Sequence, residues 1–258
     1  MQEFFGVDGK LVLISGGAQG LGRMIAEGFV QAGAEVVITS RKKDVGEAAA
    51  HEMRAHGRCV ALQADLATAG GAVELAARFS ASHDRLDVLV NNAGKTWGAP
   101  IEAFPDTAWT DVMAVNVQSP FTLVRELLPL LKASASWDDP ARIINIGSLT
   151  AIVAEKLHAY SYAASKAAIH HLTRVLASDL AQHNITVNVI APGYFPTRMT
   201  SHIRADEQLS KELAHHIPLM RMGRPDDIAA ACIFLASAAG SYLTGVELPV
   251  DGGISGCR

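Results

Sequence analysis

Few features of the sequence suggest a secreted, membrane-bound or nucleic-acid-binding protein. The chain of 258 residues has only 3 cysteines, an odd number at distant positions, which argues against a disulfide framework. It lacks any apolar run near the ~18 residues of a membrane span. Its first residues, MQEFF, show neither the basic nor the apolar region of a signal peptide. We therefore expect a cytoplasmic protein with free thiols.

A surplus of charge of one sign is also missing. The chain carries 22 Lys and Arg against 26 Asp and Glu, and because the basic residues are scattered, neither a nucleic-acid nor a membrane partner is expected. The adjacent histidines at 170–171 and 215–216 cannot share one face of a helix, so no metal site is expected. With 49% hydrophobic residues, we expect a single globular domain over residues 1–258 that acts on a small molecule.

What the sequence does contain is a regular alternation of short apolar runs and helical patterns. The apolar runs fall at 11–14, 35–39, 59–62, 86–90, 143–146, 186–190 and 246–250. Helical periodicity follows the glycine-rich turn at 15–22 and recurs at 44–56, from 68, and at 106–131, 159–180 and 225–236. Seven buried strands separated by helices predict an α/β fold of the Rossmann type, with a doubly wound, mainly parallel seven-stranded sheet.

A glycine-rich turn joins the first strand to the first long helix. Its sequence, SGGAQGLG at 15–22, has the spacing G-x-x-x-G-x-G and precedes a helix whose apolar face includes Ile25 and Phe29. Such a turn lets the backbone approach a pyrophosphate, whose charge is stabilised by free N–H groups and by the helix dipole. A tight turn that uses glycine only for positive φ is the alternative.

The end of the second strand bears on the choice of dinucleotide. An acidic residue there accepts hydrogen bonds from the ribose 2′-OH, whereas an arginine binds a 2′-phosphate. The strand ends in SRKK at 40–43, and no acidic residue occurs before Asp44. We therefore prefer NADP(H) over NAD(H), although Gln19 stands in the turn where a second cation would strengthen the prediction.

Tyr162 and Lys166 form the candidate catalytic pair. They are one turn apart on the same face of the 159–180 helix. A phenol, with an ordinary pKa of about 10, is a poor acid or base at neutral pH unless a neighbouring ammonium stabilises the phenolate. The pair could therefore donate or accept a proton. By itself, the spacing also fits an exposed Tyr and Lys on a helix surface.

Other polar positions follow the ends of strands, where a doubly wound sheet binds its ligand. NNAG at 91–94 and Ser148 each follow such an end. Asp65 could accept from an adenine amino group, or cap the helix that begins near residue 68. Asn116 lies in the 106–131 helix, where it could simply face solvent. The polar stretch at 197–216 follows another strand end, so we expect 194–222 to form a lid.

The order of these motifs resembles that of the short-chain dehydrogenase/reductase family over nearly the whole chain. The matching segments are SGGAQGLG at 15–22, NNAG at 91–94, Asn116, Ser148, YAASK at 162–166 and PG at 192–193. VNV at 115–117, WG at 97–98, the 134–140 loop and PTRMT at 196–200 look most like the 3-oxoacyl reductase branch, especially the β-ketoacyl reductase of rhamnolipid formation. Two positions depart from the family pattern. Ser148 and Tyr162 are 14 positions apart, one more than usual, and Ser15 stands where Thr is commoner.

The resemblance implies a role for each matching residue. Tyr162 would be the general acid in reduction and the base in oxidation and would also contact the cofactor, while Lys166 would lower the pKa of Tyr162 and bind the nicotinamide ribose. Ser148 would orient the substrate carbonyl, and Asn116 would hold a water behind Lys166. The other implied cofactor contacts are Ser15, Gly16, Gln19, Gly20, Leu21 and Gly22 at the pyrophosphate, Ser40 and Arg41 at the 2′-phosphate, Asp65 and Leu66 at the adenine, Asn92 and Gly94 at the ribose, and Pro192, Gly193, Phe195 and Thr197 at the nicotinamide.

Three functions remain open. The first is NADPH-dependent reduction of a 3-oxoacyl thioester or related ketone, and the second is oxidation of a sugar acid, polyol or steroid alcohol with NAD(P). The third is a nucleotide-binding regulator without catalysis, against which the intact catalytic residues argue. An apolar acyl pocket could involve Met199, Leu213, Ile217, Leu219, Met220 and Met222, which ordinary packing would also explain. By family analogy, we expect a homotetramer or dimer, the tetramer built on the helices that begin near 106 and 159 and on the last strand.

Overall fold

The protein, represented by a computed structural model, is described over residues 2–197, 200 and 206–257. The strands are β1 (Leu11–Ile14), β2 (Glu35–Ser40), β3 (Cys59–Gln63), β4 (Val88–Asn91), β5 (Ala141–Ile146), β6 (Ile185–Pro192) and β7 (Glu247–Val250). The α-helices are α1 (Gln2–Phe5), α2 (Gly20–Gln31), α3 (Lys43–Met53), α4 (Ala69–Ser80), α5 (Asp106–Met113), α6 (Ser119–Ser134), α7 (Tyr160–Leu180), α8 (Glu207–His216) and α9 (Pro225–Ala236). Short 3₁₀ turns occur at Ile101–Ala103, Leu149–Ala151, Ala181–His183 and Ala238–Gly240.

The seven strands form one sheet in the order β3-β2-β1-β4-β5-β6-β7. Every neighbouring pair is parallel, which confirms the predicted sheet. The strand order reverses between β1 and β4, where Ile14 pairs with Val90. The chain therefore leaves these two strands in opposite directions, and a crevice opens at their carboxyl ends, as in other doubly wound sheets.

The sheet separates two hydrophobic cores because successive side chains of a strand point to opposite faces. In β1, Val12 and Ile14 belong to the core under α2, α3 and α9, whereas Leu11 and Leu13 belong to the core under α4, α6 and α7. Burial on both faces explains why the central strands β1, β4, β5 and β6 read as apolar runs rather than as alternating patterns. No helix in the described part of the chain is long and apolar enough to cross a membrane.

The helix predicted at 106–131 is interrupted at its centre. Between α5 and α6, residues Ala114–Gln118 form a π-helical turn. Pro120 explains the widened turn, because it has no N–H to donate to the carbonyl of Asn116 and its ring would clash with that carbonyl. Asn116 is only 2% exposed, so the interpretation that it faces solvent is wrong.

The predicted lid at 194–222 is described only in part. Residues 198, 199 and 201–205 lie outside the described residues, among them Arg198 and Met199 of the PTRMT segment. Phe195 and Ile217 on either side are buried, whereas α8 between them has no fully buried residue. The closing of a lid over this region therefore stays a prediction.

Candidate active site

Two loops meet in the crevice at the ends of β1 and β4. The hydroxyl of Ser15 accepts hydrogen bonds from the N–H groups of Asn92 and Ala93, at 3.0 Å each. In return, Asn92 Nδ2 donates to the carbonyls of Ser15 at 2.9 Å and Gly16 at 3.2 Å. Ser15 and Asn92, both expected to contact a cofactor, thus use these atoms to fix the glycine turn to the end of β4.

The glycines of the turn are required by its geometry. Gly16 and Gly20 adopt φ of +67° and +57°, which other residues rarely tolerate. A Cβ on Gly22 would lie 2.3 Å from Asn92 Nδ2 and 2.4 Å from the Gly16 carbonyl oxygen. On Gly20, by contrast, a Cβ would meet nothing closer than Thr197, at 3.7 Å. The space beside Gly20 is therefore open to a ligand.

The helix that follows the turn favours an anion in that space. The side chain of Gln19 does not cap the N-terminus of α2, and the first turn of α2 contains no acidic residue. The first N–H groups of a helix have no partner within the helix and lie at the positive end of its dipole. Leu21, in the same turn, is half-buried against the core beneath. This combination can bind a pyrophosphate.

The residues predicted at the adenosine end lie at the ends of β2 and β3. Arg41 is exposed directly after Ser40, and its backbone carbonyl accepts a hydrogen bond from Gln63 Nε2 at 3.1 Å. Asp65 is exposed and accepts from the N–H of Ala67 at 3.0 Å, within a local turn. The residue that caps α4 is Thr68 rather than Asp65, so that alternative is wrong.

Leu66 at the same end is buried, and its carbonyl oxygen accepts a hydrogen bond from Ser119 Oγ at 2.6 Å. Ser119 opens α6, so this bond fixes the loop after β3 to the helix beyond the π turn. Any contact of Leu66 with a ligand would have to use its backbone N–H.

Ser148 and Tyr162 lie together at the end of β5. The Ser148 side chain is close enough to the Tyr162 phenol to lower its pKa. Ser148 Oγ also accepts from the N–H of Thr150 at 3.2 Å and from its hydroxyl at 2.9 Å. With both donors coming from Thr150, the Ser148 hydroxyl keeps its own proton available to donate. Thr150 was not singled out from the sequence.

Lys166 is buried and donates to the carbonyl oxygen of Ile146 at 2.7 Å. Its Nζ is 5.6 Å from the centre of the Tyr162 ring. Burial lowers the pKa of Lys166 to about 8. The pKa of Tyr162 is raised, chiefly by burial and also by the charge of Glu155, against the lowering effect of the Ser148 hydrogen bond. The net shift of the Tyr162 pKa is thus upward, and the phenol keeps its proton at neutral pH.

Asn116 connects the loop after β4 to helix α7. Its Oδ1 accepts from the N–H of Lys95 at 2.8 Å, while its Nδ2 donates to the Lys95 carbonyl and to Ser165 Oγ, each at 2.9 Å. Ser165 in turn donates to the Tyr162 carbonyl at 2.7 Å. A Cβ on Gly94 would lie 3.9 Å from Lys166 Nζ and 3.7 Å from Asn116 Oδ1, so Gly94 borders the same space. The water predicted behind Lys166 stays a prediction.

The segment after β6 crosses from the catalytic residues to the glycine turn. Gly193, directly after Pro192, donates from its N–H to the Val250 carbonyl at 3.0 Å, and a Cβ there would come within 2.7 Å of Asp251 Cα. Phe195 is 3% exposed, and its ring occupies the place where Gly223 would carry a Cβ. The ring of Phe195 thus belongs to the core, while Thr197 lies near Gly20 of the glycine turn.

A pocket of about 270 Å³ opens between Glu155, Tyr194 and helix α8. It is lined by Glu155, Tyr194, Leu209, Glu212, Leu213, His216 and Ile254. Glu155 Oε1 accepts a hydrogen bond from the Tyr194 hydroxyl at 2.8 Å, and the charge of the same carboxylate raises the pKa of Tyr162. Of the predicted acyl-pocket residues, Leu213 lines this pocket and Ile217 packs with Leu149 and Ile254 in a small adjoining core, whereas Leu219 and Met220 are exposed. No metal-binding group of three His, Cys, Asp or Glu occurs among the residues described.

Comparison with known proteins decides the family. The family model described as "Enoyl-(Acyl carrier protein) reductase" matches residues 16–255. The chain belongs to the short-chain dehydrogenase/reductase family. It is 47% identical to the "Rhamnolipids biosynthesis 3-oxoacyl-[acyl-carrier-protein] reductase" of Pseudomonas aeruginosa, across 98% of this chain and 99% of that protein. It is also 36% identical to a 2-dehydro-3-deoxy-D-gluconate 5-dehydrogenase of Dickeya dadantii, across 96% of each.

Solved structures of the family agree with this assignment. The Pseudomonas aeruginosa RhlG/NADP active-site complex superposes with a TM-score of 0.96 at 47% identity, covering 99% of this chain and 100% of that one. A gluconate 5-dehydrogenase of Burkholderia cenocepacia in complex with NADP and tartrate has a TM-score of 0.90 at 33% identity, over 98% of each chain. The predicted family, its oxidoreductase class and the resemblance to the 3-oxoacyl reductase branch are confirmed.

Proposed function

We propose that this protein reduces 3-oxoacyl thioesters with NADPH. The observation that carries the proposal is a pocket that combines aliphatic side chains with two carboxylates, one of which, Glu155, acts on the pKa of Tyr162. The relative that is 47% identical carries the name of a 3-oxoacyl reductase, which supports the same substrate class.

The crevice fits a dinucleotide. Its glycine turn leaves open space beside Gly20 at an uncapped helix N-terminus, and Gly22 allows the two loops to approach closely. Arg41 is the cation at the end of β2 that would hold a 2′-phosphate, and Lys166 would reach the ribose next to the nicotinamide. NADP complexes of two relatives support this choice. When bound, NADPH supplies the hydride.

The catalytic residues supply the proton and hold the carbonyl. Ser148 Oγ would donate a hydrogen bond to the carbonyl oxygen of the substrate, because its lone pairs are engaged by Thr150. Tyr162, whose pKa is raised by burial, would transfer its phenolic proton to the same oxygen as negative charge develops there. Lys166, with a pKa of about 8, carries a positive charge at neutral pH and would stabilise the phenolate that remains.

The charge of the pocket argues for a thioester rather than a sugar acid. Glu155 and Glu212 line it together with Leu209, Leu213 and Ile254, and no lining residue in the described part of the chain is Lys or Arg. A sugar-acid carboxylate would be repelled by the two glutamates, and within the described lining only the imidazole of His216 could pair with it. An acyl chain carries no charge and gains from burial against the aliphatic side chains.

Steady-state kinetics of the purified chain test the proposal. We expect reduction of 3-oxoacyl coenzyme A thioesters with NADPH, with a KM that falls about fourfold per added methylene until the pocket is filled, since each buried CH₂ contributes about 0.8 kcal/mol. Little or no reduction of 5-keto-gluconate is expected. Preferential turnover of 5-keto-gluconate would overturn the proposal in favour of the sugar-acid dehydrogenases, and absence of all turnover would favour a non-catalytic nucleotide-binding protein.

We also propose that the chain is one domain, that 194–222 closes over the substrate, and that four copies assemble.

The assembly of four copies is supported by large apolar side chains that remain exposed on α5, α6 and α7, namely Trp109 (41%), Phe121 (41%) and Val175 (48%). Sedimentation of the purified chain would test it, with a monomer as the contradicting result. A cytoplasmic location is supported by free thiols at Cys59, Cys232 and Cys257.

A further inference from the structure

His170 is a buried histidine next to the catalytic residues that the proposed chemistry does not use. It lies one turn after Lys166 on α7 and is 3% exposed. Its Nε2 is 3.3 Å from the backbone nitrogen of Ser148, which donates to it, and its Nδ1 is 2.8 Å from Glu247 Oε2 on β7. A Cβ on Gly147 would come within 2.0 Å of His170 Nε2, so the glycine makes room for the ring.

These two contacts define the protonation of the ring. Since Nε2 accepts the N–H of Ser148, it carries no proton, and the single proton is on Nδ1, which donates to the Glu247 carboxylate. The groups that face the ring are Glu247 from β7, and Lys166 and Arg174 from α7 itself. Burial lowers the pKa of His170, with Lys166 and Arg174 acting in the same direction and Glu247 in the opposite one.

One face of α7 is hydrogen-bonded to successive groups at the end of β5. Thr173 Oγ1 accepts from Asn145 Nδ2 at 2.9 Å, and Lys166 donates to the Ile146 carbonyl at 2.7 Å. His170 accepts from the Ser148 N–H, and the Ser148 side chain is close enough to Tyr162 to lower the pKa of its phenol. Helix α7, which carries the proposed proton donor Tyr162, thus also holds the end of β5 that leads to Ser148.

We propose that His170 is a positioning residue that holds the Ser148 backbone and thereby places the Ser148 hydroxyl beside Tyr162, with Glu247 fixing the tautomer. This rests on the proposed roles of Ser148 and Tyr162 in carbonyl reduction. Protonation of His170 would remove the acceptor of the Ser148 N–H and put a second N–H against it. The hold on Ser148 is therefore lost at acidic pH.

Substitutions of His170 separate positioning from folding. In His170→Met a weakly accepting thioether replaces the ring nitrogen, and we expect kcat for reduction to fall about 10- to 100-fold, as for other losses of alignment at a catalytic group. The dissociation constant of NADPH should hardly change. In His170→Gln the side-chain carbonyl can replace Nε2 as acceptor, so most of kcat should return. The matched control is His171→Gln, an exposed neighbour on the same helix, which should leave kcat unchanged.

The pH profile gives a readout that a merely structural role would not move. Wild-type kcat should fall as the pH drops through the pKa of His170, and this acid limb should be absent in His170→Gln. Glu247→Gln still accepts from Nδ1 but removes the charge that raises the pKa of His170, so the limb should move to lower pH. An unchanged kcat in His170→Met, or the same acid limb in His170→Gln, would overturn the proposal.

Nitrogen-15 NMR of the histidine rings tests the same idea without substrate. We expect the Nδ1-protonated neutral tautomer at His170 at neutral pH, and faster hydrogen exchange of the Ser148 amide in His170→Met. The other tautomer, or unaltered exchange, would overturn the positioning role. These results do not depend on which carbonyl compound is reduced, so they distinguish a wrong role for His170 from a wrong substrate class.

Discussion

Lys166 Nζ donates a hydrogen bond of 2.7 Å to the carbonyl oxygen of Ile146, two residues before Ser148. This bond fixes the charged end of Lys166 to the end of β5, two residues before Ser148, whose hydroxyl would bind the substrate. Because Lys166 is buried, its pKa is lowered to about 8, and its charge becomes sensitive to pH in a range where the other catalytic groups do not titrate. Two predictions about the catalytic pair follow.

Carbonyl reduction should slow as the pH rises through about 8. Below this pH, Lys166 is charged and Tyr162 is protonated, which is the state that donates a proton and stabilises the resulting phenolate. Above it, the ammonium loses its proton while the phenol, whose pKa is raised, still keeps its own. The dependence of kcat on pH at saturating NADPH checks this, with thermal unfolding at each pH as control. A rate that stays constant far above the pKa of Lys166 would contradict the assignment.

Replacing Tyr162 with phenylalanine should lower kcat by about 10²- to 10⁴-fold, the usual contribution of a general acid. The ring stays, so NADPH binding, followed by fluorescence, should be close to that of the wild type. Tyr160→Phe is the matched control, because Tyr160 is exposed on the same helix and its hydroxyl contacts only the His158 ring, at 3.5 Å, among the described residues. Comparable losses in both variants would sink the assignment of Tyr162 as the proton donor.

The sequence predicts the elements of the sheet well because the central strands β1, β4, β5 and β6 are buried on both faces. Strand β1 and helix α9 have the bounds that the sequence predicts. Strands β2 and β3 each extend one residue beyond their predicted ends at 39 and 62. Such continuous apolar runs are a local property that needs no knowledge of neighbours. The sequence also predicts the cofactor-binding crevice, because a glycine-rich turn between a buried strand and a helix is typical of dinucleotide-binding sites.

What the sequence does not predict depends on contacts between distant segments. Burial decides the pKa of Tyr162, and the i,i+4 spacing to Lys166 does not indicate burial. The ring of Phe195 enters the core because Gly223 leaves room for it. His170 shares the face of Tyr162 and Lys166, a signal already present in the spacing, but its acceptor role requires Glu247 on β7. Only the folded chain brings these groups together.

The cofactor preference should depend on Arg41. In Arg41→Ala, the charge-assisted hydrogen bonds to a 2′-phosphate are lost, which at about 1.5–3 kcal/mol raises the KM for NADPH roughly 10- to 100-fold. The KM for NADH should not rise, because that cofactor has no 2′-phosphate. Lys43→Ala is the control, since Lys43 lies two residues away and is paired with Glu47 at 3.7 Å. Equal changes for NADPH and NADH would argue that Arg41 acts on folding or on another part of the cofactor.

Enlarging Gly22 should disrupt the junction of the two loops in the crevice. In Gly22→Ala, the new Cβ would lie 2.3 Å from Asn92 Nδ2 and 2.4 Å from the Gly16 carbonyl oxygen, and the latter is backbone that cannot turn aside. We expect a loss of about 1–3 kcal/mol in the free energy of unfolding, as for other overpacked sites, together with weaker NADPH binding.

Gly70 offers the matched control for this substitution. It is exposed near the start of α4, and a Cβ there would meet nothing within 4 Å. Gly70→Ala should therefore stabilise the chain by about 0.4–1 kcal/mol, because alanine restricts the unfolded chain more than glycine does. Urea unfolding and NADPH titration of both variants give the comparison. If Gly22→Ala matched Gly70→Ala in stability and in affinity for NADPH, the turn would not need a glycine at position 22. The close approach of Asn92 would then not position the turn.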